Sequence, residues 1–297
     1  MSDLCLHVSQ PCVFSGRTSP YKDAVYVVVG VPYDRTSTYR SGSRFAPSAI
    51  REASANIETF SMRAAIDVED LRICDAGDIN VTDNPSEMIE RIRLVVHQIA
   101  SDGKIPVILG GEHTVSLGGV RAFTGIAVVS FDAHMDLRNE YNGDPLSHAS
   151  VMRRIFEHVG PDRILQIGTR AVCKEELEFS KASRISSISA IDLQRTPIEN
   201  NLDALRRMLD RRRDLYVTVD MDVLDPAYAP AVGNPEADGL SPSILLSLLQ
   251  EVCKKKVIAI DLMEVSPHYD TGATAVQAAK VLFESLCYIE TKRRSTL

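Results

Sequence analysis

Short, uniformly apolar runs recur along the chain, separated by stretches with helical spacing. Ala24–Val31, Ile105–Leu109, Ile126–Phe131, Ile164–Gly168, Leu215–Val219 and Val257–Leu262 are apolar at nearly every position. Runs of this kind predict strands buried on both faces. Leu71–Gly77 and Ile185–Ile188 are weaker and predict edge or short strands. Between them, Ser86–Ser101 places Met88, Ile89, Ile92, Val95, Val96 and Ile99 on one helical stripe. Further helices are predicted from Ser48, from His148 to His158, over Asn201–Arg212, after the Ser241 cap with Pro242 at the first turn, and from Thr271–Gly272 to Glu290. Strands alternating with helices predict an α/β fold, with a mainly parallel sheet covered on both faces. The chain carries no repeat or linker, which points to one domain over residues 1–297 with an irregular segment at 1–20.

The polar residues that follow the strands form a pattern of their own. Asp132, His134 and Asp136 alternate directly after Ile126–Phe131, and residues i, i+2 and i+4 of extended chain share a face. His113 follows Ile105–Leu109, Asp220 and Asp222 follow Leu215–Val219, and Glu264 follows Val257–Leu262. In an open α/β sheet the ligand sits outside the carboxyl ends of the strands. Setting Glu264 aside, the set holds four carboxylates and two imidazoles, too much like charge to bury without a counter-cation. Two divalent cations would cancel about four negative charges, and oxygen-rich donors with some imidazole suit manganese. A water shared by two such ions is a hydroxide source near neutral pH, so the pattern points to hydrolysis of an unreactive electrophile. No Ser-His-Asp or Cys-His set competes, and neither a P-loop nor GxGxxG after the first strand is present. The long polar loop from Tyr33 to Pro47 follows a central-looking strand, which favours a functional role.

The 297 residues carry a formal net charge of -7. That excess of acid argues against nucleic acid as a partner and favours small cationic ligands. No apolar run reaches the roughly 18–20 residues that span a bilayer, and the N-terminus lacks the basic start of a signal peptide. The six cysteines are scattered without a CxxC pair, as expected of a reduced, cytoplasmic protein.

Four blocks then carry a resemblance: Gly110-Gly111-Glu112-His113, Ser130–Asp136, Val219–Pro226 and Asp261–Pro267. With Gly42–Pro47 and Ile50-Arg51, they resemble the ordered signatures of the ureohydrolase (arginase/agmatinase) superfamily, from about Val28 to the C-terminus. The resemblance implies a three-layer α/β/α fold with a central, mostly parallel eight-stranded sheet, and two Mn²⁺ per subunit. It implies that His113, Asp132, Asp136 and Asp220 hold one ion, and that His134, Asp132, Asp220 and Asp222 hold the other. Glu264 would hold the substrate guanidinium, His148 would shuttle protons, and Asp136 would pass a proton to the leaving amine. Subunits of this family usually assemble as homo-oligomers, trimers or hexamers.

The blocks look closer to agmatinases, which implies cleavage of agmatine to putrescine and urea. Arginase, guanidinobutyrase and formimidoylglutamase activities are the alternatives, with a one-metal zinc deacylase or a catalytically silent metal-binding paralogue beyond them. Asn234 stands where the family often has threonine, and keeps a polar contact for substrate. Asn142 sits in the loop expected to form the pocket rim, and His268 is a further candidate there. Asp225 reads as a turn residue, and Glu112 as a support of the site rather than a ligand.

Overall fold

The computed structural model describes residues 12–295; of the irregular N-terminal segment, residues 1–11 lie outside this range. Among the described residues ten strands are formed: β1 Tyr26–Gly30, β2 Phe60–Ser61, β3 Ile66–Asp67, β4 Ile73–Asp78, β5 Ile105–Leu109, β6 Ala127–Phe131, β7 Ile164–Thr169, β8 Ser186–Ser189, β9 Asp214–Asp220 and β10 Lys256–Met263. Eight of them make one sheet in the order β4-β1-β5-β10-β9-β6-β7-β8. Every neighbouring pair in it is parallel. The weak runs take the two edges, as their mixed polarity requires. The small antiparallel pair β2–β3 was not predicted from the pattern.

Nine helices are described: α1 Ala46–Ser54, α2 Pro85–Ser101, α3 Val115–Arg121, α4 Val151–Val159, α5 Lys174–Ala182, α6 Ala190–Arg195, α7 Ile198–Leu209, α8 Pro242–Val252 and α9 Ala273–Arg294. Alternate strand residues feed two cores. Tyr26, Val28, Val107 and Leu109 pack with α1, α7, α8 and α9, while Val27, Val29 and Ile108 pack with α2, α3 and α4. The result is the expected three-layer arrangement, with helices on both faces of the sheet. Among the described residues no helix is long and apolar enough to cross a membrane.

Three helices, α3, α5 and α6, were not predicted. Two glycines in VSLGGVR argue against a helix by propensity. Packing overrides them in α3. A Cβ at Gly118 would sit 2.7 Å from Ile92 Cβ, and one at Gly119 would sit 2.0 Å from the Tyr216 hydroxyl. Only glycine lets α3 approach α2 and the sheet this closely.

Chain order explains where the site forms. The chain lays down β1, β4 and β5 on one side, then β6, β7 and β8 on the other, and returns to fill the gap with β9 and β10. The four central strands β5, β10, β9 and β6 are therefore neighbours in space although distant in sequence. Their carboxyl ends all carry the polar blocks.

Candidate metal centre and substrate cleft

The block after β5 enters a tight crossing. A Cβ at Gly111 would lie 1.8 Å from the Tyr33 carbonyl oxygen, so the Tyr33 loop packs directly on this backbone. His113 follows, 1% exposed, just before α3. Its Nδ1 lies 3.1 Å from Asp132 Oδ2, 3.2 Å from Asp136 Oδ2 and 3.4 Å from Asp220 Oδ2. The Nδ1 of His134 lies 2.9 Å from Asp222 Oδ2 and 3.7 Å from Asp132 Oδ1. Two donor clusters result, His113–Asp132–Asp220 and Asp132–His134–Asp222, each with its donor atoms within 4.8 Å of one another. Asp132 belongs to both.

Backbone amides orient the carboxylates. His134 N donates to Asp132 Oδ1, Ala133 N to Asp222 Oδ1 and Asp222 N to Asp220 Oδ1. Asp136 and Glu264 adopt left-handed backbone conformations, with φ of 51° and 66°. Such strain in non-glycine residues is held only where surrounding structure imposes it, and it gathers at working sites.

The donor set fits cations. His113 Nδ1 and Asp132 Oδ2 are buried and lack a hydrogen-bond partner, although they face each other. Buried polar atoms left unpaired at this distance are what a shared ion satisfies. The electrostatics agree. Burial, with Asp132 adding, pushes the Asp136 carboxyl up to about 7. Burial, with Glu112 adding, pushes Glu264 up to about 8. Burial and the nearby Asp222 and Asp132 raise Asp220 well above the usual carboxylate range. Burial alone would lower His113 and His134, yet the surrounding aspartates raise both imidazoles well above their ordinary value. Cations bound by these groups would displace the protons that burial and the neighbouring charges otherwise favour on them.

A second layer sets the His113 ring. Its Nε2 lies 3.1 Å from Thr218 Oγ1, which is 3.2 Å from Ser116 Oγ. Nearby, the Tyr216 hydroxyl donates to buried Asp261 at 2.6 Å. A ring whose Nε2 is hydrogen-bonded in this way presents Nδ1 to an ion. On the other side, the Arg170 guanidinium donates to the carbonyls of Asp222, Val223 and Leu224. It braces the turn that carries Asp222.

Above the clusters opens a cleft of about 560 Å³. His113, His134, Asp136, Asp220, Asp222 and Glu264 form its floor, with His148 and Asn234 beside them and Tyr39, Arg138 and Tyr141 toward the mouth. Glu264 is 6% exposed, and its Oε1 accepts a 2.7 Å hydrogen bond from His113 N. His148 is buried at the start of a short turn capped by Ser147, with its Nε2 3.4 Å from Asn234 Nδ2. Burial, reinforced by His134 and His113, lowers the His148 imidazole to about 4.

Nine of the ten site residues taken from the sequence therefore meet in this cleft or directly beneath it: His113, Asp132, His134, Asp136, His148, Asp220, Asp222, Asn234 and Glu264. Asn142 does not. It is exposed at φ 52° in the tight turn closed by Tyr141 and Asp144, which aims it outward and gives the cleft wall to Tyr141. His268 packs edge-on against Phe45, outside the cleft. Asp225 accepts from Ala227 N and Gly239 N, as a turn residue does. Sequence reading missed Thr36, Thr218, Tyr216 and Arg170 as supports. The available signals were the position of Thr36 in the long polar loop and that of Arg170 just past the Ile164–Gly168 run.

Comparisons with known proteins agree with this geometry. The chain matches the model of the arginase family over residues 24–287. It is 38% identical to an agmatinase from Bacillus subtilis over 92% of this chain and 95% of that one. It is 36% identical to an N(1)-aminopropylagmatine ureohydrolase from Thermococcus kodakarensis, covering 89% of this chain and 90% of the other. The crystal structure of agmatine ureohydrolase of Thermoplasma volcanium superposes with a TM-score of 0.92 at 37% identity, covering all of both chains.

Proposed function

The chain belongs to the arginase family, and from that premise we propose that it is a dinuclear manganese hydrolase converting agmatine and water to putrescine and urea. One observation carries the reading. A buried carboxylate suited to a guanidinium, Glu264, is hydrogen-bonded to His113 of the first donor cluster, on the floor of an open cleft. Similarity to agmatinases over nearly the full length supports agmatine as the substrate.

Bound ions, held by His113, Asp132, His134, Asp136, Asp220 and Asp222, would supply a water acidic enough to act as a nucleophile near neutral pH. The chain's own residues do the rest. Glu264 accepts the guanidinium N–H groups, and the opposed positive charge draws its carboxyl back to the ionised form. That fixes the guanidinium carbon over the floor, where orientation alone is worth several kcal/mol of barrier. Asp136 carries a proton to the departing amine nitrogen. His148, neutral at pH 7, takes the second proton of the water at Nε2 and passes it to the amine as it leaves. The balance closes: a guanidinium and one water give urea and an alkylammonium.

Urea release from the manganese-loaded protein, measured on agmatine, N(1)-aminopropylagmatine, arginine and guanidinobutyrate, tests the assignment. Agmatine should give the highest kcat/KM. An equal or greater value on arginine would overturn the substrate, and no urea from any compound would mark a silent paralogue.

A further inference from the structure

The Tyr33–Pro47 loop and Glu112 meet at His148. Glu112 follows Gly111, is fully buried, and belongs to neither donor cluster. Its Oε2 accepts from Thr36 N at 2.5 Å, and its Oε1 accepts from Thr36 Oγ1 at 3.0 Å. Thr36 Oγ1 in turn accepts from His148 N at 2.9 Å and lies 3.1 Å from His148 Nδ1.

The protons can be counted. Asn234 Nδ2 is a donor only and faces His148 Nε2 at 3.4 Å, so that nitrogen accepts. A neutral ring then carries its hydrogen on Nδ1, which donates to Thr36 Oγ1 at 3.1 Å. With that lone pair taken, the Thr36 hydroxyl turns its own proton to Glu112 Oε1, while Thr36 N holds Oε2. Both His148 and Asn234 line the cleft.

We propose that Thr36 and Glu112 are positioning residues for the hydrolytic reaction: they lock His148 in the Nδ1–H tautomer with the Nε2 lone pair turned into the cleft. The inference rests on the reading of His148 as the proton-accepting histidine. It gives Glu112 and the long polar loop a use that the donor clusters do not. The close crossing at Gly111 is part of the device, because it packs Tyr33 against the strand end and brings Thr36, three residues later, onto Glu112.

The test uses Thr36→Val, which keeps the shape and removes the hydroxyl, with Thr36→Ser as the conservative partner and His148→Ala as reference. In the manganese-loaded enzyme, Thr36→Val should lower kcat about 10- to 100-fold, part of the range general acid–base groups supply. KM and the bound-metal content should stay unchanged, and Thr36→Ser should return kcat to within about threefold of the parent. A second readout needs no substrate: in the zinc-loaded, diamagnetic protein labelled with ¹⁵N-histidine, His148 should show a protonated Nδ1 and an unprotonated Nε2, and Thr36→Val should lose this preference. Full turnover in Thr36→Val, a loss that tracks metal loss, no recovery with serine, or an Nε2–H ring in the parent would each overturn the proposal. If His148→Ala also keeps full turnover, the role of His148 falls together with it. If His148→Ala is slow while Thr36→Val is not, only the positioning pair falls.

Discussion

Two buried charge clusters sit on the same rim of the sheet, and they are resolved in opposite ways. At the edge, Arg51 from α1 is 6% exposed and spends its guanidinium on the end of β4. It donates to Asp75 at 2.7 and 2.9 Å, to Asp78 at 2.6 Å and to the Gly77 carbonyl at 3.1 Å. Asp75 also accepts from Phe14 N. That cluster brings its own permanent cation. At the centre, Asp132, Asp136, Asp220 and Asp222 face only two imidazoles, and buried donor atoms are left without partners. A charge cluster that closes on itself holds the fold together. One that leaves its charge open awaits something from outside. Both contain aspartates at strand ends, so residue type alone does not separate them; the presence of a committed arginine does.

The sharpest way to break the contrast is at the shared carboxylate. Asp132→Ala should empty both donor clusters and lower kcat/KM by at least about a thousandfold, since the metal-activated nucleophile goes with the ions. Metal analysis after gel filtration reads this directly, and two ions retained per chain would show that Asp132 is not shared. At the edge the effect should fall on stability instead. Arg51→Met leaves the buried Asp75 carboxylate without its cation and should cost about 3–5 kcal/mol of unfolding free energy. A denaturant titration measures it, while the folded fraction should still bind two ions per chain; loss of metal would tie the two clusters together.

The smallest effect is a pH dependence confined to the centre. Burial raises Asp136 to about 7 and Glu264 to about 8, and the aspartates raise both imidazoles. A raised folded-state pKa means that the metal-free folded protein binds more protons than the unfolded chain, so its stability falls as pH rises through this window. Bound cations remove that dependence by replacing the protons. Melting curves at pH 5 and pH 8 should show the gap between loaded and metal-free protein widening at pH 8. A gap that narrows would contradict the proton-for-metal exchange.

Much of the centre was legible because its signal is local. An apolar run ending in alternating aspartates and a histidine announces a converging strand end without any knowledge of neighbours. Glu264 was legible in the same way, as the polar residue after the last apolar run. Asn142 is exposed beside Tyr141 and not on the cleft lining, because it sits in left-handed turn backbone, and side-chain direction in a turn is not readable from composition. Thr36 and Thr218 escaped because their meaning lies in partners 76 and 105 residues away. Helix α3 escaped for a related reason, since its glycines are placed by close contact with α2 and β9 against their own propensity.

By itself the sequence determined the alternation of buried strands and helices, and the placement of ionisable residues at strand ends. Both follow from short-range patterns of burial, which neighbouring residues in the chain set. The tertiary structure decided which strand ends meet. β9 and β10 enter late, between β5 and β6, and only that insertion makes one centre from three separate blocks. It also decided which side chains of that centre remain unpaired, because pairing depends on distances between segments that no local pattern encodes.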